Sequence, residues 1–247
     1  MLCPRCQRET PEDQEDCAVC GVIVSRYRPR PAAAVPALAF EDASLWRQAL
    51  AWLKVRMFDI APAEDRGWLG LRAAFLVFLG VWGLRLLALP YQGDALGGSF
   101  MHLIHLPFHE AGHFVFQPLG TFLHILGGTL GQLLVPFIVA CAFLREENPY
   151  GASVGLWWLG QSFMDCAPYI NDARERTLML ISGETGQEDF EGHDWYQLLS
   201  RTDWLAHDHA LARAFWLLGV VLMAAALAWG AYILWRQSRP ALTETEA

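Results

Sequence analysis

The sequence predicts a polytopic α-helical membrane protein of about four to five transmembrane helices, with room for a re-entrant element, behind a small N-terminal zinc ribbon. Three observations lead there. Hydrophobic residues make up 54% of the 247 residues, with 11 tryptophans and a positive mean hydropathy, which is high for a soluble chain. Several apolar stretches reach the roughly 20 residues that a bilayer core requires. Four of the six cysteines fall within the first 20 residues. The formal charge of −8 argues against a nucleic-acid partner, because no basic patch would offset phosphate repulsion.

The N-terminal stretch pairs Cys3 with Cys6 and Cys17 with Cys20, as CPRC, ten residues, then CAVC. Two C-x2-C knuckles place four thiolates around a tetrahedral zinc ion, around which a segment too short for its own core can fold. Two disulfides would need an oxidising compartment, and the polar, cysteine-rich first 30 residues hold no secretory h-region. Redox-active CxxC pairs would want a surrounding βαβ pattern, which is missing. With the CGVIVSRYR run after the last knuckle, residues 1–28 resemble the small zinc-ribbon modules at the front of many bacterial proteins. The resemblance implies a structural metal and a surface for docking a protein partner.

Residues 29–66 read as a Pro/Ala linker, PRPAAAVPALA, followed by an amphipathic helix. Asp42 or Ser44 is placed to cap that helix. Leu45, Trp46, Leu50, Trp52, Leu53 and Val55 supply its apolar side against Arg47, Lys54 and Arg56. Such a helix suits the cytoplasmic membrane surface, or else packs on the ribbon.

The membrane-embedded region is residues 67–247. Its first span is residues 69–89, with Lys54, Arg56 and Arg66 before it and a single acid after it. The positive-inside rule puts the N-terminus in the cytoplasm, as a reduced zinc ribbon also requires. The expected location is a bacterial inner membrane. The second apolar stretch, residues 99–119, is divided by Pro107, which predicts a kink. After Gly120 the early part of TFLHILGGTLGQLLVPFIVACAFL suits a re-entrant element, leaving residues 128–144 as the third helix. Gln132 and Pro136 there point either to a polar face toward the site or to ordinary interhelical bonding. The fourth candidate is ASVGLWWLGQSFMDCAPYINDA. Residues 214–235 form an uncharged last span.

The chemistry concentrates in LIHLPFHEAGHFVF, residues 103–116, where His109, Glu110 and His113 spell HExxH. On a helix both imidazoles share one face and reach one zinc ion, with Glu110 beside them as a general base for water. The bland alternative is an apolar helix whose histidines pack or relay protons, but ionisable groups at membrane depth are costly and usually functional. His102 and His105 fall on the same side and read as supporting or interfacial residues. A site of two histidines needs a third donor. Asp172 is the first choice and Asp165 the second, the alternative for both being ion pairs with Arg174 and Arg176. The polar segment 173–210 should be cytoplasmic. Its His193-Asp194-Trp195 and His207-Asp208-His209 groups could each supply a ligand, although helix-flanking roles are the simpler reading.

HEAGH in one helix, followed two hydrophobic segments later by DCAPYINDA, resembles the site-2 protease family of intramembrane zinc metalloproteases. The family pairs HExxH with a later N-x-x-P-x-x-x-x-D-G segment. The resemblance implies His109 and His113 as ligands, Glu110 as general base, Pro168 as the motif proline and Asp172 as the third ligand. It departs from the pattern at Asp165, where asparagine is expected, at Asp172, one residue early, and at Ala173, where glycine is expected. It spans residues 99–175 and implies a hydrolase acting on membrane-protein or peptide substrates, with one structural and one catalytic Zn2+. The alternative is a non-proteolytic membrane protein with a structural or regulatory metal site and a ribbon for docking.

Overall fold

A computed structural model describes residues 1–3, 9, 11, 44–60 and 65–239. Cys6, Cys17 and Cys20 and the Pro/Ala linker lie outside the described residues, so of the expected ribbon ligands only Cys3 is seen, buried. About 74% of the described residues are helical and no strand occurs among them; isolated bridges join Leu2 to Glu9 and Met179 to Thr185. The chain divides into two compact units, Met1–Val55 and Arg56–Ala247.

In the first unit, α1 (Leu45–Phe58) begins where the Ser44 carbonyl accepts from Arg47 and Gln48. No residue of α1 is buried, and Leu45, Trp46, Leu50 and Trp52 are exposed. The last turn of α1, from Arg56 onward, belongs to the second unit. There Arg56 pairs with Glu147, and the Met57 carbonyl accepts from Trp229 Nε1 at 3.2 Å.

The second unit is a helical bundle of α2 (Arg66–Leu87), α3 (Phe100–Phe116), α4 (Thr121–Arg145), α5 (Pro149–Asn171), α6 (Asp194–Arg201) and α7 (Asp208–Ser238). Asp65 caps α2, its carboxylate accepting from Gly67 N–H at 2.7 Å. Three helices are long and apolar enough to cross a membrane: α2, α4 and α7 with its preceding turn. At 17 residues α3 falls short of a bilayer core. Helix α5 packs most extensively on α7, is largely enclosed, and buries Gln161 and Asp165. It is therefore the bundle's polar spine.

Pro107 lies inside α3, which continues through it, and His102, His105, His109 and His113 stay on one side. One feature differs from the sequence expectation: α4 is a single 25-residue helix that begins at Thr121, so the stretch expected to be re-entrant is part of that helix. The glycines that suggested unwinding instead admit a neighbour. A Cβ at Gly127 would lie 2.6 Å from the Gly112 carbonyl oxygen, and one at Gly131 would lie 2.8 Å from Gly112 Cα. Small residues let α3 and α4 approach backbone to backbone, and where Pro136 offers no N–H the Gln132 carbonyl of α4 accepts from Ser162 Oγ of α5.

Between α5 and α6 the chain makes a polar excursion over residues 172–193. Helix α6 then buries Trp195, Leu198 and Leu199 against Ile125 of α4, Ile170 of α5 and Ala212 of α7. This apolar anchor holds the N-terminus of α6 over the histidine face of α3.

Candidate metal centre

His109 and His113, one turn apart on α3, have ring centroids 4.9 Å apart. Their Nε2 atoms face one carboxylate oxygen, Asp194 Oδ2, at 3.0 and 3.3 Å. His109, His113 and Asp194 are the one group of three such donors among the described residues whose atoms all lie within 4.8 Å of one another.

The tautomers follow from the partners on the far side of each ring. His113 Nδ1 lies 2.8 Å from the His124 carbonyl oxygen, which can only accept. His109 Nδ1 lies 3.3 Å from Gln132 Oε1. Gln132 Nε2 donates to Asp165 Oδ2 at 2.9 Å, which fixes the amide so that its oxygen faces His109. Both rings thus carry their proton on Nδ1, and both Nε2 lone pairs point at the Asp194 oxygen.

Three such atoms converge favourably only when a metal ion, or a proton on one ring, lies among them. In a tetrahedral zinc site with bonds near 2.0–2.1 Å, ligand atoms sit about 3.3 Å apart, close to the spacings found. Space is kept as well: a Cβ at Gly128 of α4 would lie 2.5 Å from His113 Nε2 and 2.7 Å from His109 Cε1, and nearer still to His109 Nε2. Glycine is required there, and the residues present fit a metal ion.

Asp194 is held from behind. Its backbone N–H donates to the Tyr169 hydroxyl at 3.0 Å, and that hydroxyl donates to the Gly192 carbonyl at 3.1 Å. His193 caps α6, its Nδ1 accepting from Tyr196 N–H at 3.2 Å.

The other acids are engaged elsewhere. Asp172 does not reach the imidazole pair. Its Oδ1 accepts from the Thr177 N–H and hydroxyl at 3.0 and 2.8 Å, and its Oδ2 from Leu178 N–H at 2.9 Å. His193 Nε2 faces the same Oδ2 at 3.4 Å. Buried as it is, Asp172 is held below the usual carboxylate range by these donors. Where the sequence put Asp172 third, the structure places Asp194, because the chain turns at Asp172 and returns over α3 only at the start of α6. Asp165, the second choice, accepts from Gln132 and lies 3.1 Å from both His102 Nδ1 and His105 Nδ1. Neither aspartate pairs with the neighbouring arginines. Arg174 bonds Asp208 at 2.8 Å, and Arg176 stacks on Phe190 and Tyr196. His209 also leans on Arg174, at 3.0 Å, away from the site.

Glu110 lines a cavity of about 430 Å³ together with His109, His113, Asp194 and the 178–182 segment. Glu110 makes no hydrogen bond among the described residues, so its carboxylate is available to whatever enters. The same cavity continues along α3 to His102 and Asp94.

The signal for Asp194 was present in the sequence: an acid beside a histidine, opening a short amphipathic helix. What linear spacing lacked was the fold of residues 172–193. Comparison with protein-family models, with curated proteins and with solved structures finds no match.

Proposed function

We propose that this chain is a zinc-dependent intramembrane peptidase of the site-2 protease kind, acting on membrane-protein or peptide substrates, with His109, His113 and Asp194 as metal ligands and Glu110 as general base. The observation that carries the reading is the convergence of two imidazole Nε2 atoms and one carboxylate oxygen in a cavity where Glu110 is otherwise unengaged. The part of the family resemblance that rests on Asp172 is not carried forward, since that carboxylate is spent on Thr177 and Leu178.

His109, His113 and Asp194 would hold a zinc ion, which would supply Lewis-acid chemistry for polarising a scissile carbonyl and acidifying water. The protein's own groups do the rest. Glu110 accepts the proton of the attacking water and returns it to the leaving amine, a role worth about 10²–10⁴-fold in rate. The His124 carbonyl and Gln132 hold the two rings in the tautomers that expose Nε2. Asp172 braces the turn into residues 178–182, which wall the cavity on the side where an unwound peptide would lie.

The test uses full-length protein in nanodiscs, a library of quenched fluorescent transmembrane peptides, and metal analysis. Two zinc ions per chain are expected, one in the N-terminal cysteines and one at the histidines; His109→Ala with His113→Ala should lose one. Glu110→Gln should keep both ions and lose at least 100-fold in cleavage. Cleavage unchanged in Glu110→Gln would reject the peptidase. A metal that binds without any cleavage would favour the structural or regulatory site instead.

A further inference from the structure

The polar groups behind His109 form a chain with only one arrangement of protons. Trp158 Nε1 can only donate, and it reaches His105 Nε2 at 2.9 Å. The proton of His105 must then be on Nδ1, which donates to Asp165 Oδ2 at 3.1 Å. The same oxygen takes the Gln132 amide N–H, so Gln132 Oε1 is left for His109 Nδ1. His105, Asp165 and Gln132 are all buried, and Ser162 Oγ, donating at 3.0 Å to the Gln132 carbonyl, ties the same turn of α4 to α5. From an indole that cannot reverse, the direction of every bond up to the metal-facing ring is set.

We propose that Gln132 is a positioning residue for the metal: anchored through Asp165, His105 and Trp158, it selects the His109 tautomer that presents Nε2 to the ion. The inference deepens the metal-site reading and rests on it, but not on peptidase chemistry. It also explains why an aspartate is buried inside α5. Asp165 is the acceptor on which three donors converge, and Gln132 carries that polarity across from α5 to α3. His102 and His105 serve this anchor and do not reach the ion.

Gln132→Met keeps the volume of the side chain and removes both hydrogen bonds. Gln132→Glu keeps the shape and both bonds, because two buried carboxyl groups at hydrogen-bond distance share one proton: the new carboxyl donates it to Asp165 Oδ2, and its other oxygen accepts from His109. Zn2+ and Co2+ are titrated into full-length protein in nanodiscs against a competing chelator. Only the binding abolished by His109→Ala with His113→Ala is counted, which sets the N-terminal cysteines aside. Gln132→Met is expected to weaken this binding 10–100-fold, the range seen when such outer partners are removed, and to alter the Co2+ ligand-field spectrum. Gln132→Glu should stay within about threefold of the wild type. Wild-type affinity in Gln132→Met would overturn the proposal and leave the metal site standing, as would Gln132→Glu no better than Gln132→Met. A wild-type protein with no histidine-dependent binding would overturn the metal site itself, and this inference with it.

Discussion

Gly128 offers the sharpest test of the metal centre, because one methyl group there is aimed at both ring nitrogens. Its Cβ would stand 2.5 Å from His113 Nε2 and 2.7 Å from His109 Cε1, where ordinary contact begins at 3.4 Å. Relief requires the rings to withdraw by about 1 Å, whereas metal–ligand bonds tolerate roughly ±0.2 Å. The backbone of α4 cannot yield instead, since Gly127 and Gly131 already press on Gly112 of α3. Alanine also favours a helix over glycine by about 1 kcal/mol, so Gly128→Ala should not unfold α4. The expected result is full helicity by circular dichroism with loss of the histidine-dependent zinc ion and of any hydrolysis. Gly80→Ala, on α2 with nothing within 4 Å of the added carbon, is the control and should change neither. Gly128→Ala protein that binds the ion with wild-type affinity would refute the placement of the site beneath α4.

Two further outcomes separate the acids and probe the core. Asp194→Asn should weaken histidine-dependent zinc binding at least 100-fold, while Asp172→Asn should leave the ion bound and loosen residues 172–193 by about 1.5–3 kcal/mol, the worth of hydrogen bonds to a charged group. The folded pKa of Asp172 is depressed, so its contribution is present above an unfolded value near 3.9 and drains away as pH falls through the lower folded one. Hydrogen exchange at Leu178 should accelerate in that acid window in the wild type and be fast already at neutral pH in Asp172→Asn; equal protection in both would sink this role. Gln161 is buried with neither amide atom paired among the described residues, which costs about 1–3 kcal/mol, so Gln161→Leu should raise the thermal midpoint in detergent. A lower midpoint would show that the amide has a partner the bundle depends on.

The spans legible in the sequence are those whose composition alone decides their surroundings. Residues 66–87 and 208–238 carry almost no charge in their middles, which makes them long and apolar enough to cross a membrane. The HExxH spacing was equally legible, because the pitch of a helix converts three intervening residues into a shared face. The glycines in α4 misled, since they are breakers in isolation. Here Pro107 is absorbed within α3, and Gly112, Gly127 and Gly131 serve the contact between α3 and α4. Gln132 stood open between two readings, and its bonds meet both: they join α4 to α3 and α5, and the one to His109 faces the site.

By itself the sequence determined the helical, membrane-compatible character of the chain and the two imidazoles of the centre, because both follow from local periodicity and the cost of burying charge. The identity of the third donor belonged to the tertiary structure. Asp165, Asp172 and Asp194 are chemically equivalent on paper, and only the path of the chain after α5 gives each its partners: a histidine pair and an amide, a turn of backbone, and the open face of His109 and His113. An acid's role is set by which donors reach it first, and that is a property of three-dimensional distance, not of spacing along the chain.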